Sequence, residues 1–244
     1  MKPAVIIPVY NHGQQIEAVV RRAARLGLPM VVVDDGSTDG TAAILDHLAG
    51  SGALSGLTLL RHPENLGKGA ALLSGFGAAV DQGCDWALSL DGDGQHDPAD
   101  GPRLLEEVAD GSRALVLGRR EQMESMAHVP WTSRFGRSFS NFWVWAVGGP
   151  LVSDSQSGFR LYPLPEVLEF GVRSRRYQFE VEVLVRARQA GLEVREAPVQ
   201  VVYQPRGERI SHFRPWTDFL RNSRLFSRLF FCRLFALLAR VVGR

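Results

Sequence analysis

An α/β fold with a mostly parallel central sheet is expected of this chain on three observations. Short apolar runs recur through its first half, helical patterns lie between them, and polar motifs close several of the runs. The runs are Ala4–Val9, Met30–Asp34, Leu57–Leu60, Trp86–Leu90 and Ala114–Leu117, each of the kind that a strand buried on both faces shows. Between the first two, Ile16, Val19, Val20 and Ala23 fall on one face of a helix. Leu72, Leu73, Phe76 and Val80 mark another helix after the third run. Asp97-Pro98 supplies an N-cap followed by proline at the first helical position. Strands alternating with helices in this way make parallel pairs joined by right-handed crossovers.

Beyond Gly118 the pattern changes. Residues 134–147 read as a helix rich in aromatics (Phe135, Phe139, Phe142, Trp143, Trp145), stopped by Gly148-Gly149-Pro150. A second helix over Tyr177–Ala190 leads into a strand around Val194–Val202, and one long amphipathic helix follows from Trp216. The expected division is a domain over 1–215 and a basic helical tail over 216–244.

The 244 residues carry a net charge of +2, which hides an asymmetry. Six arginines (221, 224, 228, 233, 240 and 244) and no acid lie between Phe219 and Arg244. With those set aside, residues 1–218 hold 22 basic against 26 acidic side chains, a net of −4. The body therefore offers no surface for nucleic acid. Cys84 and Cys232 are the only cysteines, which makes no disulfide framework and suits a reducing, cytoplasmic compartment. The first apolar run is too short for a signal-peptide core.

Ligands of a parallel α/β sheet collect at the carboxyl ends of its strands. Three polar motifs fall at such ends: Pro8-Val9-Tyr10-Asn11, Asp34 to Asp39, and Asp91-Gly92-Asp93-Gly94-Gln95-His96-Asp97. Any one of them reads as an ordinary turn; their convergence on one edge reads as a site. Asp91-x-Asp93 is the sharpest, because adjacent carboxylates repel unless a cation neutralises them. Hard oxygen ligands suit magnesium or manganese, which would bridge the diphosphate of a nucleotide. A calcium loop counted from Asp91 needs glycine at its sixth place and glutamate at its twelfth, where this chain has His96 and Pro102. Asn65-Leu66-Gly67-Lys68-Gly69 opens a helix, and its amides and Lys68 would face a phosphate or ribose. It is no Walker loop, since His62 stands where the leading glycine belongs. Nor does Tyr10 to Gln14 have the glycine spacing of a dinucleotide fold.

Taken in order, Ile7 to Asn11, Val33 to Asp39, Asn65 to Gly69 and Asp91 to Pro98 resemble the family-two glycosyltransferases, and within them the polyprenyl-phosphate sugar transferases of the dolichol-phosphate mannosyltransferase type. Gly118-Arg119, Arg134 with Ser138 and Asn141, Asp154 to Arg160, Phe179-Glu180 and Ala197-Pro198-Val199 extend the likeness over residues 4–212. The resemblance implies a single nucleotide-sugar-binding α/β domain of the GT-A kind and a reaction that inverts the anomeric centre. It implies that Pro8, Tyr10, Asn11 and Asp35 hold base and ribose, and that Asp91, Asp93 and Gln95 meet metal and diphosphate. Arg119, Arg134 and Ser138 would face an anionic acceptor, a polyprenyl phosphate or other lipid. The chain departs from the family at His12, where glutamate is common, and at Arg206 to His212, where a glycine-x-serine-lysine segment is usual. Arg206 or Arg209 would then be the basic contact to phosphate.

A phosphate acceptor is already ionised, whereas a hydroxyl acceptor needs a carboxylate base, for which Asp154 and Glu180 are the candidates. A structural role, capping or pairing with an arginine, is the competing reading of both. Another functional class also fits the fold, a non-catalytic nucleotide-binding or scaffold protein; the intact Asp91, Asp93 and Gln95 favour the enzyme. The tail is too charged to cross a bilayer. Its leucines, phenylalanines and acid-free arginines suit an anionic membrane surface on the cytoplasmic side. Its arginines, however, form two groups about 120° apart on a helical wheel, which a kink, two helices or packing against the body would explain.

Overall fold

The computed structural model describes residues 1–52, 54–121, 131–201 and 215–242, the side chains of 131–135, 215–220 and 236–242 excepted. The five apolar runs are strands: β1 (Pro3–Val9), β2 (Met30–Asp34), β3 (Leu57–Arg61), β4 (Trp86–Ser89) and β5 (Ala114–Arg120). β1, β2, β4 and the first five residues of β5 are buried on both faces, and the edge strand β3 is half-buried. In β1, Ala4 and Ile6 enter one core and Val5, Ile7 and Val9 the other, and β2 splits Val31 and Val33 from Met30 and Val32 in the same way. With β6 (Arg160–Pro163) and β7 (Glu193–Val199) the sheet has seven strands in the order β3-β2-β1-β4-β6-β5-β7. All neighbours are parallel except β6, which runs antiparallel to both β4 and β5.

Helices α1 (Gly13–Ala24), α2 (Thr41–Gly50) and α4 (Gly101–Glu106) cover one face. The residues of α1 that its pattern marks, Ile16, Val19, Val20 and Ala23, are its buried ones. The other face carries α3 (Lys68–Asp81), α5 (Trp131–Ala146), the short α6 (Glu166–Glu169), α7 (Gln178–Gln189) and α8 (Pro215–Val242). Asp97 caps a single 3-10 turn (Pro98–Asp100) ahead of α4, its Oδ1 accepting from the Ala99 amide at 3.0 Å. Along the sheet the chain runs outward from β1 to β2 and β3, then returns to place β4 on the other side of β1. The carboxyl ends of β1 and β4 therefore border a crevice of the kind that binds ligands.

The C-terminal helix answers the two-group arginine pattern. It is one helix, and it packs on the body. Leu225, Phe226 and Leu229 are buried in the same core as Val144 of α5, Val147 just after it, and Val181 and Leu184 of α7. Phe226 stacks on Trp143 at 5.8 Å between ring centroids. Arg228 lies 2.7 Å from the buried Glu182, and Arg233 donates to the Ala146 carbonyl at 2.6 Å. Arg228 of one arginine group and Arg233 of the other thus hold different parts of the domain. Removing the Phe226 ring should therefore cost the whole domain about 3–5 kcal/mol, the usual loss for Phe→Ala in a core. Chemical denaturation of Phe226→Ala measures this; an unchanged midpoint would mean that α8 is peripheral to the fold.

Candidate active site

Four loops at the carboxyl edge of the sheet are stitched to one another in sequence. The loop after β1 places Asn11 in the left-handed backbone region (φ 54°), where asparagine is tolerated better than most residues. Its side-chain oxygen accepts from the Thr38 amide at 2.7 Å and its own amide donates to Ser37 Oγ at 3.0 Å. Next to it, His12 donates its amide to Thr41 Oγ1 and Gly13 to Asp39 Oδ2, so the starts of α1 and α2 are fixed together.

Asp35 joins the second loop to the third. It is buried, and its two oxygens accept from the amides of Leu66 (3.0 Å) and Gly67 (2.8 Å), with His62 Nδ1 2.7 Å away. Gly36, at φ 72°, lets the two loops touch: a Cβ there would lie 2.4 Å from the backbone of Glu64. Lys68 then joins the third loop to the fourth. Its ammonium lies 2.5 Å from Asp91 Oδ1 and 2.5 Å from Glu180 Oε1 of α7. Burial alone would depress the lysine, but the two carboxylates outweigh it and hold the ammonium charged beyond the ordinary range. Burial also raises the Asp91 carboxyl, and Lys68 more than reverses that, leaving it below its usual value. Glu180 is left raised: burial pushes it up and Asp91 adds repulsion, against the pull of Lys68 and Arg160.

The segment Asp154 to Arg160 supplies the last stitch. Arg160 is fully buried and donates to the carbonyls of Ser157 (2.6 Å), Ser155 (2.8 Å) and Glu180 (2.7 Å). Asn141 of α5 donates to the Ser153 carbonyl and accepts from the Ser155 amide. Ser89 Oγ donates to the Gly158 carbonyl at 2.6 Å. Gly158 thereby abuts the ion pair so closely that a Cβ would lie 2.3 Å from Asp91 Oδ2 and 2.6 Å from Lys68 Nζ.

These stitches frame a cavity of ≈ 580 Å³, within the range that small ligands occupy. Of the residues the sequence nominates, Pro8, Tyr10, Asn11, Asp35, Lys68, Asp91 and Asp93 line it together. Gln95 does not line it; its amide donates to Asp93 Oδ1 at 3.0 Å and so shapes the Asp91–Asp93 loop. Arg119 is exposed at the carboxyl end of β5, and Ser138 is exposed on α5. The side chain of Arg134, and Arg206 and Arg209 altogether, lie outside the described residues. Neither candidate base is placed as one. Both Asp154 oxygens are held by Arg120, at 2.5 and 2.8 Å, and the carboxylate is fully buried away from the cavity. Glu180 is taken up by Lys68. Both carboxylates pair with a cation instead. His96 is likewise structural: burial lowers its imidazole to about 4, and its ring packs on Phe159 at 5.4 Å.

Sequence reasoning missed Arg176 and Arg221, which also line the cavity, and Gly158 and Arg160 behind it. The one available signal for Arg176 is the basic cluster Arg173 to Arg176 just before α7. As to a metal, no group of three or more His, Cys, Asp or Glu is close enough to hold an ion by itself among the described residues. Asp91 and Asp93 face one cavity, however, and two carboxylates suit a magnesium or manganese ion that takes its remaining oxygens from phosphate and water.

The fold is GT-A-like, and the candidate site lies at the switch point of its sheet, where open α/β folds bind their ligands. The chain belongs to glycosyl transferase family 2, whose profile matches residues 4–165, and it is a glycosyltransferase that uses a nucleotide-sugar donor. It is 30% identical over 213 residues to a UDP-N-acetylglucosamine–dolichyl-phosphate N-acetylglucosaminyltransferase of Methanococcus voltae, covering 82% of this chain and 85% of that one. It is 32% identical over 205 residues to a polyprenol monophosphomannose synthase of Mycolicibacterium smegmatis, covering 80% and 75%. In fold it is similar to the mannosyl-3-phosphoglycerate synthase of Rubrobacter xylanophilus (TM-score 0.63, 19% identity, covering 100% of this chain and 75% of that one). It is also similar to a Pyrobaculum calidifontis mannosyltransferase in complex with GDP-Man and Mn2+ (TM-score 0.56, 20% identity), covering 85% of this chain and 58% of that one.

The contact at Gly158 gives a direct test of the stitched geometry. A methyl group there meets the carboxylate of Asp91 and the ammonium of Lys68, so the ion pair cannot keep its place. Gly158→Ala should lower turnover by about tenfold or more, ~1.4 kcal/mol in the barrier, and should also lower the thermal unfolding midpoint, because a buried ion pair is displaced. Full turnover in that variant would show that the placement of the pair does not matter.

Proposed function

We propose that this protein is an inverting, metal-dependent glycosyltransferase that moves a hexose from a UDP- or GDP-sugar to the phosphate of a polyprenyl phosphate, at the cytoplasmic face of a membrane. The observation that carries the reading is the pair Asp91 and Asp93 on the wall of the cavity that Tyr10, Asn11 and Asp35 also line. A divalent ion bound with the donor would offset diphosphate charge and stabilise the leaving group. The chain's own residues do the rest. Asp35 and Gly36 hold the second and third loops in contact, and Lys68 holds Asp91 ionised on the cavity wall. A phosphate acceptor is ionised at neutral pH and attacks the anomeric carbon opposite the leaving diphosphate without a general base. That agrees with Asp154 and Glu180 both being held by cations. Arg119, exposed at the same edge of the sheet, is the acceptor-side cation this reading assigns, since a guanidinium fork matches phosphate oxygens. One relative is named for transfer to dolichyl phosphate and another for synthesis of polyprenol monophosphomannose, which supports the acceptor class.

Calorimetry with UDP and GDP in the presence of manganese tests the donor site. Asp93→Ala should weaken nucleoside diphosphate binding by about tenfold, or 1.4 kcal/mol, and should abolish its dependence on the ion. Unchanged, ion-dependent affinity would overturn the assignment of Asp93.

The membrane part of the reading rests on an exposed apolar surface shared by two packed helices. Phe142 and Trp145 of α5 and Phe230, Phe231, Leu234 and Phe235 of α8 all face outward. No helix among the described residues is long and apolar enough to cross a membrane, so this face would lie on the bilayer, with rings at headgroup depth. Truncating the tail would damage the core, so the cleaner test changes only its outer face. Phe231→Ser with Phe235→Ser should keep the unfolding midpoint and lose most flotation with anionic vesicles. Undiminished flotation would overturn the assignment of this face.

A further inference from the structure

His62 directly follows β3 and does not line the cavity, yet both nitrogens of its largely buried ring are engaged. Nδ1 lies 2.7 Å from Asp35 Oδ1, and Nε2 lies 3.0 Å from Ser74 Oγ on α3. The main chain of His62 is tied to the same place, its amide donating to the Asp34 carbonyl at 2.9 Å. The partners assign the hydrogens. Asp35 already accepts the Leu66 amide at Oδ1 and the Gly67 amide at Oδ2. Its carboxylate is an acceptor on both oxygens, so the hydrogen shared with His62 belongs to Nδ1. The Ser74 hydroxyl can donate or accept, so Nε2 is partnered in either state of the ring.

These contacts close a circuit. Asp35 holds the amide of Gly67, which caps α3, and about two turns further along that helix stands Ser74. Ser74 holds His62, and His62 returns to Asp35. Lys68, the first residue of the same helix, holds Asp91, so α3 sets both carboxylates of the cavity wall. An ionised carboxylate offers about four acceptor sites. In Asp35, Oδ1 takes two hydrogens and Oδ2 takes one, which leaves a single site, on Oδ2. We infer that His62 is a positioning residue for the sugar-nucleotide donor. By filling Oδ1 it leaves Oδ2 of Asp35 to accept an O–H or N–H of the nucleotide, and Ser74 fixes the plane of the ring that does so. Without the Nδ1 hydrogen, both oxygens would compete for the ligand's hydrogen, and the preorganised acceptor would be lost. The inference rests on the donor-site reading above.

The test uses the full chain, with UDP and GDP plus manganese in calorimetry and the thermal unfolding midpoint read beside them. His62→Leu removes both ring contacts. His62→Asn returns an amide hydrogen where Nδ1 stands but does not reach Ser74, and Ser74→Ala leaves the ring on Asp35 without its anchor. His62→Leu should lose about fivefold or more in affinity for whichever nucleotide the wild type binds. His62→Asn should recover most of that affinity while being no more stable than His62→Leu, a split that a purely structural role would not produce. Ser74→Ala, at a partly exposed helix position that alanine suits, should fold and lose about two- to threefold. If His62→Leu binds as tightly as the wild type, or if His62→Asn loses as much as His62→Leu, the ring serves the fold alone. The inference is then wrong while the donor site stands. If neither replacement of His62 folds, Ser74→Ala decides, and undiminished affinity there overturns the inference. If the wild-type chain binds neither UDP nor GDP, the donor-site reading fails and the inference with it.

Discussion

The ammonium of Lys68, held between Asp91 and Glu180, is the contact on which the rest of this site depends. It ties the first residue of α3 to the loop after β4 and to the first turn of α7, segments that no backbone ladder joins. A cation buried between two carboxylates is tolerated only when the charges and hydrogen bonds around it are nearly complete. Here Arg160 supplies the second positive charge and satisfies three carbonyls of the surrounding segments, Glu180's among them. The glycines follow from the same constraint. Gly67, with φ at 103°, and Gly69 admit the backbone of residues 174–176, and Gly158 admits the ion pair itself. Without these three positions free of side chains, the cluster could not close. Such an arrangement adds little net stability over an apolar core, but it allows few alternative geometries.

Much of this fold was legible because period and burial agree. The strands β1, β2, β4 and β5 are each built on a buried apolar run sandwiched between helices, so run length alone marks them. The helix α1 was legible from four residues that prove to be its buried ones. β6 escaped for a physical reason: it has only four residues, begins with an arginine and runs against its neighbours. A buried arginine argues against a core strand until its three carbonyl partners are known, and those come from residues 155, 157 and 180. α2 also went unmarked, its start being fixed by Asp39, Thr41 and the distant His12 rather than by a strong apolar stripe.

The site was legible where single strand ends carry it and illegible where distant segments meet. Tyr10, Asn11, Asp35, Lys68, Asp91 and Asp93 follow strands whose carboxyl ends must share an edge, so topology alone brings them together. Asp154 and Glu180 were ambiguous in sequence because a carboxylate suited to proton transfer and one suited to an ion pair look alike. The neighbours decide, and Arg120 and Lys68 are 34 and 112 residues away from them. Asp35 combines both cases. It does line the cavity, yet its hydrogen bonds hold the loop at Leu66 and Gly67, so its first task is to build the wall it belongs to.

The C-terminal helix shows why composition can suggest a location without giving a mechanism. Six acid-free arginines among leucines and phenylalanines fit an anionic surface, but at least Arg228 and Arg233 bind the domain itself, through Glu182 and the Ala146 carbonyl. What remains for a membrane is the outward face, with Phe230, Phe231, Leu234 and Phe235. Because the inward face of the same helix is fixed in the core, that outer surface and the cavity are parts of one rigid unit. At ~1.5 Å per residue, Phe230 to Phe235 lie roughly 14–21 Å along the axis from Arg221. A lipid surface meeting those rings would stand within the length of one helix from the cavity mouth. On the proposed reading, an acceptor phosphate carried by a lipid would have only a short distance to travel, and this helix would contribute the geometry of docking more than a number of arginines.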